Sequence, residues 1–255
     1  MPAVSEILDQ LVSPSRFLGD GSRDLAILGE GNTSARVDEE TFFVKQSGRA
    51  MGEADAGSFV RCRFDVILEA LDVPELTDAQ VKQVLLEARV GYAGDTPRPS
   101  VETFLHAFLL SLPGIRFVGH THPTAVNAIL CSQKAREAVS GRLFPDEIVC
   151  CGPAVCFVEY TDPGVVLARA LRVEVNRFVE EHDMPPKVIL MQNHGLIAAG
   201  ASPQDVIAAT TMYEKAARVL LGTYALGGPR FLSKENVERI HTRPDESYRK
   251  KLIAS

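Results

Sequence analysis

Apolar residues recur at helical spacing between Val4 and Leu18, where Ile7, Leu8, Leu11 and Val12 share one side, and this predicts an opening helix. Leu25-Ala26-Ile27-Leu28 is a short apolar run, predicted as a strand entering the turn Gly29-Glu30-Gly31-Asn32-Thr33-Ser34. A dinucleotide fold would need a helix after those glycines, but Thr41 to Gly48 reads as another strand. Ser58 to Phe64 reads as a strand and Asp65 to Leu71 as a short helix. Thr77-Asp78-Ala79-Gln80 has the spacing of a capping box, opening a helix toward Arg89. Ser100 is expected to cap the next apolar helix, with Glu102 in its first turn and His106 one turn further on the same side. Ile115 to Val118 reads as a strand, followed by Gly119-His120-Thr121-His122-Pro123 and an apolar segment from Ala125 to Cys131.

Further on, Asp146 to Tyr160 is expected as strands broken at Gly152-Pro153, and Pro163-Gly164 as the start of a helix bearing Val166, Leu167, Ala170, Leu171 and Val175. Val188 to Ala199 is read as one strand interrupted only by Asn193-His194-Gly195, and Ser202-Pro203 opens a helix reaching about Leu221. From residue 222 the chain is polar and is expected as an irregular tail with a short helix near Lys234 to Arg239. Strands adjacent in sequence and interspersed with helices predict an α/β fold with a mixed or mainly antiparallel sheet flanked by helices.

Composition narrows the possibilities. The 255 residues are 45% hydrophobic and contain no low-complexity linker, so one domain spanning 1–255 is expected. A net charge of −6 argues against nucleic-acid binding, which draws its affinity from basic surface. No apolar stretch reaches the roughly 20 residues that span a bilayer. Met1 to Gln10 lacks the basic start of a secretory signal, and five cysteines suggest reduced thiols in the cytoplasm. Cys150, Cys151 and Cys156 lack knuckle spacing and read as small hydrophobes in a strand pair.

His120 and His122 stand two residues apart, so a strand would project both from one face. Two imidazoles on one face can share a metal, and catalytic Zn²⁺ commonly takes three protein ligands. His194 offers a third imidazole, aimed from a strand end where Gly195 permits a tight turn. On its own, the His-x-His pair fits two surface or core histidines better than a metal site. Gly31-Asn32-Thr33-Ser34 and Ser47-Gly48 read as turns whose N–H groups and side chains could hold an anion, or as ordinary hairpin turns. Lys45 could add charge or simply be solvated. His106 is read as a supporting residue and not a ligand.

Gly31-Asn32-Thr33-Ser34, Ser47-Gly48, Pro99-Ser100-x-Glu102-x-x-x-His106, His120-Thr121-His122-Pro123 and Asn193-His194-Gly195-Leu196-Ile197-Ala198 occur in an order that resembles the class II aldolase and adducin family. The likeness runs from about residue 20 to residue 222 and is nearest the aldolase half of fused aldolase–short-chain-dehydrogenase proteins; 255 residues are expected to be too few for the second half. The resemblance implies an α/β/α fold and a homotetramer with sites between subunits. By its pattern His120, His122 and His194 would ligate Zn²⁺ or another divalent metal, and Glu102 would be the acid/base. Asn32, Ser47, Gly48 and Ser100 would cradle a substrate phosphate, although Val101 stands where relatives often have a second serine. A tyrosine from a neighbouring subunit is also implied, with Tyr160, Tyr224 and Tyr248 as open candidates.

The implied activity is a lyase that cleaves or forms a C–C bond in a small phosphorylated ketose or sugar acid, through an enediolate that the metal stabilises as a Lewis acid. Related alternatives are a 3-oxo sugar-acid phosphate decarboxylase and a sugar-phosphate 4-epimerase; Glu102, where epimerases tend to have an aspartate, favours the lyase. A non-enzymatic adducin-like assembly module is disfavoured by retention of the three histidines with Glu102.

Overall fold

A computed structural model describes residues 4–244, leaving Tyr248 outside the described residues. Seven strands form one sheet: β1 (Asn32–Arg36), β2 (Thr41–Lys45), β3 (Phe59–Arg63), β4 (Phe117–Thr121), β5 (Cys156–Val158), β6 (Val188–Met191) and β7 (Gly195–Gly200). Their order is β3-β2-β1-β4-β7-β6-β5. Every neighbouring pair is antiparallel except β5 with β6. Local chemistry sets this topology. Between β1 and β2, Asp38 Oδ1 accepts the N–H groups of Glu40 at 2.9 Å and Thr41 at 2.7 Å, closing a tight reversal. β5 and β6 can run parallel because a long helix carries the chain back between them.

The helices are α1 (Val4–Leu18), α2 (Phe64–Asp72), α3 (Asp78–Glu87), α4 (Thr103–Ser111), α5 (Thr124–Leu130), α6 (Ala135–Ala138), α7 (Pro145–Cys151), α8 (Val165–His182), α9 (Pro203–Tyr224) and α10 (Lys234–Thr242). Alternation along the central strands divides the core. Phe117, Leu196 and Ala198 pack with Ile7 and Leu11 of α1, Val126 of α5 and Val206 of α9. Val118, Ile197 and Ala199 face the other way, onto Ile67 of α2, Leu105 of α4 and Leu171 of α8. The result is a helix–sheet–helix sandwich. Along the outer side of β3, Arg63 N–H donates to Ala88 O at 2.8 Å and Val90 N–H to Arg61 O at 2.9 Å. Arg89 holds that short segment by donating to the carbonyls of Leu86, Pro97 and Gly94.

Several local readings of the sequence are corrected. Leu25 to Leu28 is not a strand: Leu25 and Ala26 are buried, but Ile27 and Leu28 sit exposed in a turn where Leu28 has φ 52°. The turn expected at Gly31 to Ser34 is mostly strand β1. Val188 to Ala199 is a hairpin, β6 and β7 joined through Gln192-Asn193-His194, with Asn193 at φ 53°, a conformation asparagine tolerates. Pro145 to Cys151 is a helix, started by a proline in its first turn with Asp146 and Glu147 beside it. Cys150 and Cys151 therefore lie on α7 and only Cys156 on a strand. The polar tail also begins later than expected, because α9 continues to Tyr224.

Candidate functional site

His120 lies near the end of β4 and faces α4, on the same side as Asn32, its partner across the β1–β4 ladder. His122 lies one residue beyond the strand, yet its Nε2 comes within 3.0 Å of His120 Nε2. His194 arrives from the β6–β7 turn. One ligand atom from each of the three imidazoles lies within 4.8 Å of the other two. Gly195 makes this approach possible, since a Cβ there would stand 2.5 Å from Thr121 O and 2.7 Å from His122 Cδ2. Gly31 serves a similar purpose opposite, where a Cβ would meet His120 O at 2.5 Å on a backbone already at φ 67°.

His120 Nδ1 lies 3.0 Å from Leu196 O, so it carries the proton and leaves the Nε2 lone pair facing the centre. Burial brings His120 down to about 3, only partly offset by Glu102, so this imidazole is neutral at ordinary pH. A neutral imidazole is the form that a divalent cation binds. The residues fit a cation: three imidazole nitrogens converge beside the buried Glu102 Oε1, which has no hydrogen-bond partner. Three imidazoles are a common ligand set for a divalent cation.

Glu102 stands at the entrance to α4, not inside its first turn. The helix begins at Thr103 with Glu102 itself in the N-cap position, and Ser100, two residues earlier, accepts the Glu102 N–H through Oγ at 3.2 Å. Glu102 Oε1 lies 3.2 Å from His194 Nε2 and 3.6 Å from His120 Nε2. Its other oxygen accepts from Asn32 Nδ2 at 2.6 Å. Burial works to raise this carboxyl, but His120, His194 and Asn32 outweigh it and hold Glu102 below the usual carboxylate range. Behind Asn32 stands His106, whose Nε2 bonds Asn32 Oδ1 and whose Nδ1 lies 2.6 Å from Ser34 Oγ. Burial lowers His106 to about 4. The neutral ring allows one arrangement of protons that satisfies every partner: Ser34 O–H donates to His106, His106 Nε2–H to Asn32 Oδ1, and Asn32 N–H to Glu102. His106 is a supporting residue, and Ser34, read from sequence as a turn donor, is its anchor.

The other residues of the expected cradle also gather here. Gln46 and Pro99 form a β-bridge, Ser47 N–H donates to Arg98 O at 3.0 Å, and Ser100 N–H to Lys45 O at 3.2 Å. Asn32 Nδ2 reaches Ser100 Oγ at 3.3 Å, and a Cβ on Gly29 would lie 3.9 Å from Gly48 O. Asn32 and the Ser47 N–H thus have partners within the chain, while Ser47 and Gly48 remain exposed. Lys45 is not a surface charge. It is buried, lowered to about 8 by desolvation, and donates to the carbonyls of Gln46 and Arg49, bracing the turn from within. Val101 points outward at 49% exposure and joins Ser47, Pro99 and Leu85 in lining a cavity of about 350 Å³. Tyr160 lies at the surface beside Asp162, and Tyr224 ends α9. Sequence reasoning missed Glu30, whose Oε1 lies 3.5 Å from His122 Nδ1; its one signal was an acid set between the two glycines of the first turn.

The family profile described as Class II Aldolase and Adducin N-terminal domain matches residues 10–221. Among curated proteins, YuxG of Bacillus subtilis (strain 168), named an uncharacterized oxidoreductase, is 27% identical over 221 residues. That match takes in 84% of this chain, which spans only 28% of the relative's length. Among solved structures, the N-terminal class II aldolase domain of a conserved protein from Thermoplasma acidophilum is 26% identical, with a TM-score of 0.66 over 87% of this chain and 96% of that one. YgbL from Klebsiella pneumoniae, a candidate aldolase, epimerase or decarboxylase, gives a TM-score of 0.70 at 20% identity, covering 94% and 100%. An L-fuculose 1-phosphate aldolase gives 0.69 at 18%, covering 97% and 98%. The last two show likeness of fold.

Proposed function

Since the chain belongs to the class II aldolase and adducin family, we propose that it is a metal-dependent lyase making or breaking a C–C bond beside the ketone of a small phosphorylated ketose or sugar acid. The observation that carries this reading is a carboxylate oxygen, Glu102 Oε1, set 3.2 Å and 3.6 Å from two of three converging imidazoles. A divalent cation held by His120, His122 and His194, with zinc the best match, supplies Lewis acidity toward substrate oxygen. Glu102 handles the proton. In the bond-forming direction its carboxylate takes a proton from the carbon beside the ketone while the neighbouring subunit's tyrosine gives one to the aldehyde oxygen; in cleavage the tyrosine takes the carbinol hydroxyl proton as the C–C bond breaks, and the protonated acid returns its proton to the carbon that keeps the electron pair. Asn32 holds the other carboxylate oxygen and so fixes which one faces the substrate. Ser47, Gly48 and Ser100, with Asn32 beside them, bind the anionic end. A homotetramer, a neighbouring subunit's tyrosine, a single domain over 1–255 and a cytoplasmic location complete the proposal.

Decarboxylation of a 3-oxo sugar-acid phosphate is the second reading, because it would draw on the same three imidazoles and the same Glu102 carboxylate. A product assay separates them. Zinc-loaded protein incubated with a panel of ketose phosphates and 3-oxo acid phosphates should release an aldehyde, stop with chelator and resume with Zn²⁺. Release of CO2 instead, or of an epimer without cleavage, overturns the lyase. In the same assay Ser47→Ala should raise KM for the phosphorylated substrate by the equivalent of about 1.5–3 kcal/mol, the scale for a hydrogen bond to a charged group. Inorganic phosphate should compete, and its failure to inhibit would show a different anion in the cradle.

A further inference from the structure

We infer that Glu30 is the positioning residue of the metal centre, and that through it cation binding and the order of the 24–30 loop form one coupled event. The inference rests on the proposed metal site. The three imidazoles are not held alike. His120 is fixed by the sheet, with Nδ1 at 3.0 Å from Leu196 O. His194 sits in the turn of a hairpin buried at its base, and its own Nδ1 is buried with no hydrogen-bond partner. His122 lies past the end of β4, and the group facing its Nδ1 is the Glu30 carboxylate at 3.5 Å. A carboxylate behind a ligand imidazole keeps the proton on Nδ1, turns the Nε2 lone pair forward and raises its basicity.

Glu30 is equally tied to its own loop. Its second oxygen accepts the Ile27 N–H at 3.0 Å, and its N–H donates to Ile27 O at 3.0 Å, closing the turn. The loop's start is fastened to the same stretch of chain: His122 N–H donates to Leu25 O at 2.9 Å, and Thr124 Oγ1 to Asp24 Oδ1 at 2.7 Å. The turn has reasons to open. Leu28 is 84% exposed and held at φ 52°, a conformation unfavourable for a side chain that forms no local hydrogen bond, and Ile27 beside it is 53% exposed. Glu30 joins this unfavourable turn to a metal ligand. If the carboxylate strengthens the grip of His122 on a cation, the cation must by the same amount strengthen the grip of His122 on the turn. Gly29, within the turn, stands beside Gly48, so the ordering reaches the wall of the anion cradle.

The test compares wild type, Glu30→Gln, Glu30→Asp and His122→Ala for Zn²⁺ affinity by competition with a chromophoric chelator, for the visible spectrum of the Co²⁺-loaded protein, and for amide exchange at residues 25–30 with and without Zn²⁺. Glu30→Gln should bind Zn²⁺ about 10–100-fold more weakly, as for other carboxylates behind metal-bound histidines. It should also alter the Co²⁺ spectrum and lose the Zn²⁺-dependent protection that wild type shows at 25–30, with the melting temperature of the metal-free protein unchanged. Glu30→Asp should recover part of the affinity. Wild-type affinity in Glu30→Gln, with the same Zn²⁺-dependent protection, overturns the inference and leaves the metal site standing. Failure of wild type to bind Zn²⁺ more tightly than His122→Ala overturns both.

Discussion

Ser34, His106, Asn32 and Glu102 form a hydrogen-bonded line with one direction, and each member fixes the next. Asn32 can present its N–H to Glu102 only while its oxygen faces His106 Nε2–H, and His106 can donate there only while neutral. Glu102→Gln should therefore keep its metal and its melting temperature while losing activity by about 10²-fold or more, the scale of general acid–base catalysis. Unfolding with unchanged turnover per folded molecule would reduce Glu102 to a helix-entrance carboxylate. His106 also gives a pH dependence. Its ordinary value of 6.5 falls to about 4 in the folded chain, so between those values the unfolded state binds the extra proton. Stability then drops as pH falls from 6.5 toward 4. The melting temperature of the metal-free protein should follow that slope, and His106→Gln should make it shallower, leaving the part that His120 and His122 contribute; equal slopes would deny His106 the role. At this scale the sequence pointed to the three histidines and Glu102 that the fold brings together, and to His106 behind them. It hid partners such as Ser34, Lys45 and Glu30, whose roles depend on strand pairing and loop closure that no local spacing records.

Elements whose ends are written in side chains were the most legible. Thr77 with Gln80 and Ser202 with Asp205 form the capping boxes that begin α3 and α9, and α1 keeps the limits its apolar spacing sets. Reading failed where apolar residues ran on through a change of direction. The β6–β7 hairpin looks continuous because Val188–Met191 and Gly195–Gly200 are both buried strands, and only Asn193 and Gly195 mark the turn. That hairpin positions His194, so its geometry can be tested at Gly195. Gly195→Ala would force a Cβ to within 2.5 Å of Thr121 O and 2.7 Å of His122 Cδ2. The hairpin must shift, and metal content should fall well below one ion per chain while far-UV circular dichroism stays near wild type. Full metal content would show that the hairpin yields without cost to the centre.

Across the whole molecule, the mixture of adjacent strands with interspersed helices was enough to identify a mixed sheet between helical layers. The convergence of Gly29, Gly48, Ser100 and Asn32 needed the β1–β4 and β2–β3 pairings and the Gln46–Pro99 bridge. Seven strands in an open order also leave two rims, and an uncovered rim is a template on which another chain can add a strand. One rim is β5, only three residues long. The other is β3, whose outward backbone groups are taken up by residues 88–90 under the hold of Arg89. Arg89→Ala should loosen that cover without touching His120, His122 or His194. Light scattering should then rise with protein concentration and on mild heating, at undiminished zinc content. Scattering no greater than wild type would mean that β3 is protected without Arg89. With the cover in place, the β3 rim has its outward groups at Arg61 and Arg63 already engaged and does not offer them to a second copy of the chain.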